Sequence, residues 1–235
     1  NELGLSYEEN TRLSRFTTFR IGGPAPLVIF CNNSDSLENA VKYLHRHQTD
    51  FLVIGEGSNL LASDQGLDIP VLRFFSETPC ISRAGHRLMA SASTCLDDLV
   101  LFAAENGLKG MNYASGIPGT VGGAVTGNAG AFGSQIGDVV KQADVLSPDG
   151  EKRMLTRHEL KFGYRDSILK HSRDIILNVY FSLQPGDRRT LLEERNDLLL
   201  LRREKHPDYY ALPCAGSFFK NIVRPDGTRQ AAGWF

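Results

Sequence analysis

Two glycine-rich segments contain residue types that suit them to bind the diphosphate of a nucleotide cofactor. The first is Gly55-Glu56-Gly57-Ser58-Asn59, directly after an apolar run, and the second extends from Gly116 to Gly130. A diphosphate needs several backbone N–H groups that converge, and glycine permits both the positive φ and the close approach that such a turn requires. The 22 positions from Gly116 to Gly137 contain eight glycines, where average usage gives about one or two.

Neither segment matches a common nucleotide motif. The pattern Gly-x-Gly-x-x-Gly fails at the first segment because Leu60 occupies the third glycine position, and no Gly-Lys-Ser/Thr is present for a P-loop. Turn glycines in a β-rich domain are an alternative explanation. That alternative stays open for Gly55 and Gly57 taken alone, whereas the density of the second segment argues against it.

Strand and helix patterns alternate around these segments and would position them. Apolar runs predict strands at 26–31, 51–54 and 174–183. The predicted helices begin at the capping pairs Asp35/Glu38, Thr94/Asp97 and Thr190/Glu193. The first of them has apolar side chains at i, i+3, i+4 and i+7, namely Leu37, Ala40, Val41 and Leu44.

Composition excludes several functional classes. With 26 basic and 27 acidic residues among 235, the chain has no electrostatic signature for nucleic acid or an anionic membrane. We find no apolar run of about 18 residues and no signal peptide, so we expect a cytoplasmic protein without membrane insertion. Its four cysteines are scattered without a C-x-x-C pair, and we therefore expect neither a metal site nor structural disulfides.

The order of several motifs resembles one family of flavoenzymes. Residues 17–25 (Thr-Thr-Phe-Arg-Ile-Gly-Gly-Pro-Ala) resemble its opening signature, and residues 55–61 resemble its first flavin loop. Residues 116–124 followed by 128–131 (Asn-Ala-Gly-Ala) resemble its second. The family is the UDP-N-acetylenolpyruvoylglucosamine reductases. The resemblance implies an α+β fold, with a two-subdomain FAD-binding domain of the p-cresol methylhydroxylase type and a smaller α/β substrate-binding domain.

The same resemblance implies FAD, bound non-covalently on the glycine segments, and NADPH as the reductant. Asn59 and Asn128 are expected to act as side-chain donors. The residues expected to bind FAD are Gly55, Gly57, Ser58, Asn59, Leu60, Gly116, Ile117, Pro118, Gly119, Thr120, Gly122, Gly123, Asn128, Ala129 and Gly130. The chain departs from the family pattern at 110–113, where a Glu-Phe-like pair is usual, and at 126–127, where Met is common.

The reaction implied is reduction of the enolpyruvyl group of a UDP-linked amino sugar to UDP-N-acetylmuramate, a step of peptidoglycan precursor synthesis. Its intermediate is an enolate, which cationic and proton-donating groups stabilise. Residues 162–167 resemble the family's Tyr-Arg-x-Ser motif, which makes Arg165 the residue that stabilises the enolate and Tyr164 a substrate contact. Without this motif, Arg165 would be interpreted as a surface arginine paired with Asp166.

Residues 216–221 (Gly-Ser-Phe-Phe-Lys-Asn) resemble the family's serine segment. By this resemblance Ser217 donates the proton to the enolate, and Lys220 and Asn221 contact the substrate's diphosphate and uracil-ribose. Without the motif, a turn or N-cap serine would be the ordinary interpretation of Ser217. The interval of 52 positions between Arg165 and Ser217 (217 − 165) resembles the family's shorter, second type.

We expect the FAD-binding domain to cover residues 1–184, with subdomains of about 1–75 and 76–184. The substrate-binding domain would begin at 185 and be incomplete at 235, and the family's third catalytic group, a glutamate, is expected beyond Phe235. We expect a monomer. Two other functions compete with this prediction: a flavin oxidase, which has no need for the Arg165 and Ser217 motifs, and a non-catalytic flavin- or nucleotide-binding protein.

Overall fold

The computed structural model describes residues 3–205, 208, 211–217 and 219–232. Its strands are β1 (Tyr7–Arg12), β2 (Pro24–Cys31), β3 (Leu52–Ile54), β4 (Val71–Phe74), β5 (Ile81–Ala84), β6 (Arg87–Ser91), β7 (Leu108–Lys109), β8 (Gly130–Ala131), β9 (Ser134–Gln135), β10 (Val140–Leu146), β11 (Lys152–Thr156), β12 (Ile175–Ser182), β13 (Gln184–Pro185), β14 (Ile222–Val223) and β15 (Arg229–Gln230). Its α-helices are α1 (Ser34–Arg46), α2 (Leu96–Glu105), α3 (Val121–Thr126) and α4 (Arg188–Lys205). Short 3-10 turns lie at Leu13–Phe16, Asn112–Ala114, Ile136–Asp138 and Ile168–Lys170.

Two sheets organise these elements. The first has the order β1-β2-β4-β3, with β1 antiparallel to β2 and the other neighbours parallel. The second is antiparallel with the order β11-β10-β12-β6-β5. One hydrophobic core joins them, because Leu37 and Leu44 of α1 belong to the same buried cluster as Leu146 and Phe181 of the second sheet. This shared core fixes the loops of one sheet relative to those of the other.

Helix α1 confirms its predicted apolar face but not its predicted start. Leu37, Ala40 and Val41 are fully buried. The cap, however, is Asn33, whose side chain accepts the N–H of Ser36 at 2.8 Å, while the Ser36 hydroxyl accepts the N–H of Asn33 at 3.2 Å. The prediction of Asp35 as the capping residue is wrong because Asn33 supplies an equivalent acceptor two residues earlier.

Helix α4 also begins earlier than predicted. Asp187 accepts hydrogen bonds from the N–H and the hydroxyl of Thr190, at 2.9 and 2.8 Å, so Thr190 lies inside the first turn. Glu193 pairs with Arg189 instead of closing a capping box, which corrects that prediction. Helix α4 packs against α2. Among the described residues, no helix has both the length and the apolar character to cross a membrane.

Candidate flavin and substrate site

The first glycine loop follows β3 and is pressed against the turn that precedes β2. Gly57 has φ +73°, and a Cβ there would lie 2.0 Å from the carbonyl oxygen of Phe16. The Gly57 carbonyl accepts the N–H of Thr18 at 3.2 Å. Only glycine satisfies both the left-handed backbone and the close contact at position 57.

The two glycine loops, which are about 60 residues apart in sequence, touch each other. The Ser58 hydroxyl donates to the Pro118 carbonyl at 3.1 Å. A Cβ at Gly119 would lie 2.7 Å from Ser58 Oγ, and one at Gly55 would lie 2.6 Å from Thr120 Oγ1. The structure therefore brings these five predicted FAD-binding residues together on one surface.

Several N–H groups of the second loop are already bonded to the protein. Gly122 donates to the Ala92 carbonyl at 3.0 Å, Ile117 to Ala114 at 3.0 Å and Gly123 to Thr120 Oγ1 at 3.2 Å. A Cβ at Gly122 would lie 2.9 Å from the Cβ of Ala92, which directly follows β6 of the second sheet. This corrects the expectation that the whole segment forms an open nest, because part of it is the short helix α3 packed against that sheet.

The beginning of the second loop is anchored by Asp97, which was predicted to cap α2. The N–H of Gly116 donates to Asp97 Oδ1 at 2.7 Å, and the other oxygen pairs with Arg195 of α4. Helix α2 begins at Leu96 without a side-chain cap, so the predicted Thr94/Asp97 capping pair is wrong. Arg195 is 6% exposed, which makes this a largely buried connection between α4 and the loop.

Asn128 is buried and braces the loop from within. Its amide donates to the Gly163 carbonyl at 2.6 Å and to Gln135 Oε1 at 3.0 Å, and its oxygen accepts the N–H of Gly137 at 3.0 Å. Both amide hydrogens are therefore used inside the protein. Donation from the Asn128 side chain to the cofactor stays a prediction that would require one of these bonds to be exchanged, whereas Asn59 lies exposed in the first loop.

Arg165 lies at the edge of the second loop. A Cβ at Gly130 would be 3.3 Å from Arg165 Nη1, and the guanidinium lies 5.8 Å from the ring centre of Tyr164. Asp166 pairs with His171 at 3.1 Å, which does not fit the alternative of a surface arginine paired with Asp166. Arg165 has φ +56°, a conformation that costs a non-glycine residue roughly 1–2 kcal/mol and that often marks functional sites.

The Ser217 segment is hydrogen-bonded to Thr18, which in turn bonds the first glycine loop. The Cys214 N–H donates to the Thr18 carbonyl at 3.1 Å, and the Thr18 hydroxyl donates to the Cys214 carbonyl at 2.6 Å. Ser217 itself is exposed, after Gly216 with φ +76°. Further along, Lys220 is exposed and Asn221 accepts the N–H of Ala232 at 3.3 Å. Phe218 lies outside the described residues.

Comparison with known proteins decides the family. Residues 25–155 match the model of an FAD binding domain. The UDP-N-acetylenolpyruvoylglucosamine reductase of Alkaliphilus oremlandii is 40% identical over 215 residues, which cover 92% of this chain and 69% of the relative. The chain belongs to the UDP-N-acetylenolpyruvoylglucosamine reductase family.

Solved structures agree with this family assignment. The UDP-N-acetylenolpyruvylglucosamine reductase of Thermus caldophilus aligns with a TM-score of 0.78 at 31% identity, over 98% of this chain and 77% of that one. Cholesterol oxidase of Brevibacterium sterolicum aligns with a TM-score of 0.57 at 12% identity, over 77% of this chain and 38% of the oxidase, which shows a shared fold alone. The predicted α+β fold of the p-cresol methylhydroxylase type, the FAD cofactor and the reductase family are confirmed.

Tyr113 of this reductase was not among the predicted site residues, yet its environment fits a bound cofactor. It is 8% exposed, and its hydroxyl is buried without a hydrogen-bond partner among the described residues. A buried polar group is nearly always bonded in a complete site. Burial and then the charge of Asp138 raise the pKa of the phenol, while the charge of Arg165 lowers it. The net rise keeps the phenol neutral and able to donate.

Two further buried polar groups of the reductase, one in the first loop and one on β4, have no hydrogen-bond partner among the described residues. These groups are Glu56 Oε2 and Arg73 Nε. The Arg73 guanidinium lies 5.2 Å from the ring centre of Phe16 and 5.0 Å from that of Phe75. Neither Arg73 nor Tyr113 could be found from the sequence, because Arg73 stands in an apolar run that resembles ordinary core and Tyr113 stands between small and polar residues that resemble a turn. These unsatisfied groups fit a polar ligand such as FAD.

Proposed function

We propose that the chain reduces the enolpyruvyl group of UDP-N-acetylglucosamine enolpyruvate with NADPH, and so forms UDP-N-acetylmuramate for peptidoglycan. Family membership supports an FAD-dependent oxidoreductase. The observation that most supports the assignment of residues is that Arg165 lies beside Gly130 of the second glycine loop, while the Ser217 segment is bonded through Thr18 to Gly57 of the first. We further propose that the enzyme acts as a monomer in the cytoplasm.

In this proposal the FAD diphosphate lies where the loops touch, against 56–59 and 118–120. Other members of the predicted set, such as Gly116 and Ala129, use their N–H groups within the protein, in bonds to Asp97 and Ala124. FAD supplies two-electron redox chemistry when it is bound. The Tyr113 hydroxyl and the buried polar groups of Glu56 and Arg73 would satisfy their hydrogen bonds there.

Arg165 holds the substrate carboxylate and stabilises the enolate. A guanidinium stays charged at all physiological pH values and presents a planar fork to carboxyl oxygens. The turn that positions it is braced on both flanks, since Asn128 bonds the Gly163 carbonyl and the buried Ser167 hydroxyl donates to the Thr126 carbonyl at 2.7 Å. A rigid turn keeps the charge in place before the enolate forms, which is where electrostatic stabilisation is most effective.

Ser217 donates the proton that completes the reduction. Its hydroxyl is exposed, and a hydroxyl is both a donor and an acceptor, so it can be reprotonated from solvent after each turnover. We propose that Tyr164, Lys220 and Asn221 bind the rest of the substrate, with Lys220 facing its diphosphate. The FAD-binding domain would cover 1–184 and the substrate-binding domain would begin at 185, where α4 starts shortly afterwards.

The experiment replaces Ser217 with alanine in the full-length protein and follows the flavin band in two separate half-reactions. Reduction by NADPH should stay within about twofold of wild type. Reoxidation by the enolpyruvyl sugar should slow by about 10²–10⁴-fold, the usual contribution of a general acid. Ser82→Ala, in an exposed serine of β5, is the matched control and should change neither rate. Equal slowing of both half-reactions by Ser217→Ala would show that Ser217 is structural.

A further inference from the structure

Thr18 connects the first glycine loop to the Ser217 segment. Its N–H donates to the Gly57 carbonyl at 3.2 Å, and its carbonyl accepts the Cys214 N–H at 3.1 Å. Its hydroxyl donates to the Cys214 carbonyl at 2.6 Å, between residues 196 positions apart in sequence. Two of these bonds use the backbone and survive any substitution by a residue other than proline, whereas the third depends on the hydroxyl.

Both ends of this connection are constrained. Gly57 is held by its positive φ and by its contact with Phe16. At the other end, the Gly216 N–H donates to Cys214 Sγ at 3.3 Å, and Gly216 has φ +76°. Ser217 is therefore only three residues from Cys214, and the backbone between them is constrained at Gly216. A shift of the Cys214 carbonyl would move Ser217.

We propose that Thr18 is a positioning residue, whose hydroxyl sets the place of Ser217 relative to the first glycine loop. This inference rests on the proposed role of Ser217 as proton donor. Catalytic groups are sensitive to position, and a misplacement of about 1 Å can cost about 10²-fold in rate. Neither glycine loop depends on the Thr18 hydroxyl, so cofactor binding should not change when the hydroxyl is removed.

The test compares Thr18→Val, which keeps the shape but removes the hydroxyl, with Thr18→Ser, which keeps the hydroxyl. In Thr18→Val, reoxidation of the reduced flavin by the enolpyruvyl sugar should slow about 10- to 100-fold, with a lower kcat and a nearly unchanged KM. Reduction by NADPH and flavin affinity should stay within about twofold. Thr18→Ser should restore reoxidation to within about threefold of wild type.

Thr17→Val is the matched control, because the Thr17 hydroxyl donates locally to the Ile21 carbonyl at 3.0 Å. It should leave both half-reactions unchanged. Hydrogen exchange of the flavin-free protein gives a readout that is independent of activity. Amides in 211–217 should exchange faster in Thr18→Val than in wild type or Thr18→Ser, while amides in α3 should exchange at the wild-type rate.

Three results would overturn the inference: a wild-type reoxidation rate in Thr18→Val, equal slowing of both half-reactions, or failure of Thr18→Ser to recover. If Thr18→Val is too unstable to purify, a slowed reoxidation in Thr18→Ser would equally contradict it. Failure of the proposed function looks different. If the flavin of Ser217→Ala is reoxidised at the wild-type rate, Ser217 is not the proton donor. If reoxidation is slow in Ser217→Ala but normal in Thr18→Val, only the proposed role of Thr18 is wrong.

Discussion

The turn that carries Arg165 and the segment that carries Ser217 are held in different ways. The Arg165 turn is anchored by buried side chains, Asn128 on one flank and Ser167 on the other, which are both 1% exposed. The Ser217 segment is hydrogen-bonded to the site by Thr18, and Ser217 itself is exposed. This difference indicates that the site has a rigid half, the Arg165 turn with the second glycine loop, which positions charge and cofactor. The other half, the Ser217 segment, has fewer buried hydrogen bonds and delivers the proton.

The largest expected effect comes from the backbone contact at Gly57. Gly57→Ala places a Cβ against the Phe16 carbonyl and should give colourless protein with a melting temperature lower by more than about 10 °C. Gly85 is a matched control, since it has φ +61° but open space around a Cβ. Gly85→Ala should cost only the left-handed conformation, about 1–2 kcal/mol, or roughly 2–8 °C at 2–4 °C per kcal/mol for a chain of this size. Thermal melts and flavin absorbance check both variants. An equal decrease of the melting temperature in the two variants would show that the contact with the Phe16 carbonyl does not require glycine at position 57.

The next effect tests the rigid half through Asp97. Asp97→Asn removes the charge that pairs with the buried Arg195 and weakens the bond to Gly116, so we expect a loss of about 1–3 kcal/mol in the free energy of unfolding. Helix α4, which carries Arg195, also contains an exposed ion pair between Arg189 and Glu193, whose side chains are 88% and 62% exposed. Glu193→Gln should cost less than about 0.5 kcal/mol. Denaturant unfolding measures both, and a similar small loss for Asp97→Asn would show that the loop needs no anchor on α4.

The smallest effect concerns Tyr113. Tyr113→Phe removes one oxygen and should leave stability unchanged or slightly higher, because the hydroxyl is buried without a partner in the described structure. If the hydroxyl bonds to FAD, affinity for FAD should fall about 2- to 10-fold, which corresponds to one ordinary hydrogen bond. Tyr180→Phe is the control, since that hydroxyl donates to Asp144 at 2.8 Å on the second sheet. Flavin titration of the apoproteins decides, and an unchanged affinity in Tyr113→Phe would remove this residue from the site.

Much of the fold could be predicted from the sequence, because local patterns determine it. The apolar face of α1 and the strands around the first loop follow directly from periodicity and from apolar runs. The helix starts were predicted less well, since Asn33 and Asp187 compete with nearby capping residues of the same chemistry. Helix α3 was missed because its glycines are typical of loops, and only packing against Ala92 explains Gly122.

The predicted site residues could be placed near one another only by resemblance, because the contacts that unite them are not local. Ser58 meets Pro118 across about 60 positions, and Thr18 meets Cys214 across 196. No periodic pattern encodes such pairs. Nor does any local pattern indicate that the Asn128 amide donates to the Gly163 carbonyl, 35 positions away.

The most direct test of the account is the visible spectrum of the purified full-length protein through one anaerobic cycle. We expect a yellow protein whose flavin band is bleached by NADPH and returns when one equivalent of UDP-N-acetylglucosamine enolpyruvate is added without oxygen. Return of the band with oxygen but not with the enolpyruvyl sugar would indicate a flavin oxidase. A flavin band that NADPH does not bleach would indicate a binding protein, and either result would contradict the proposed reductase.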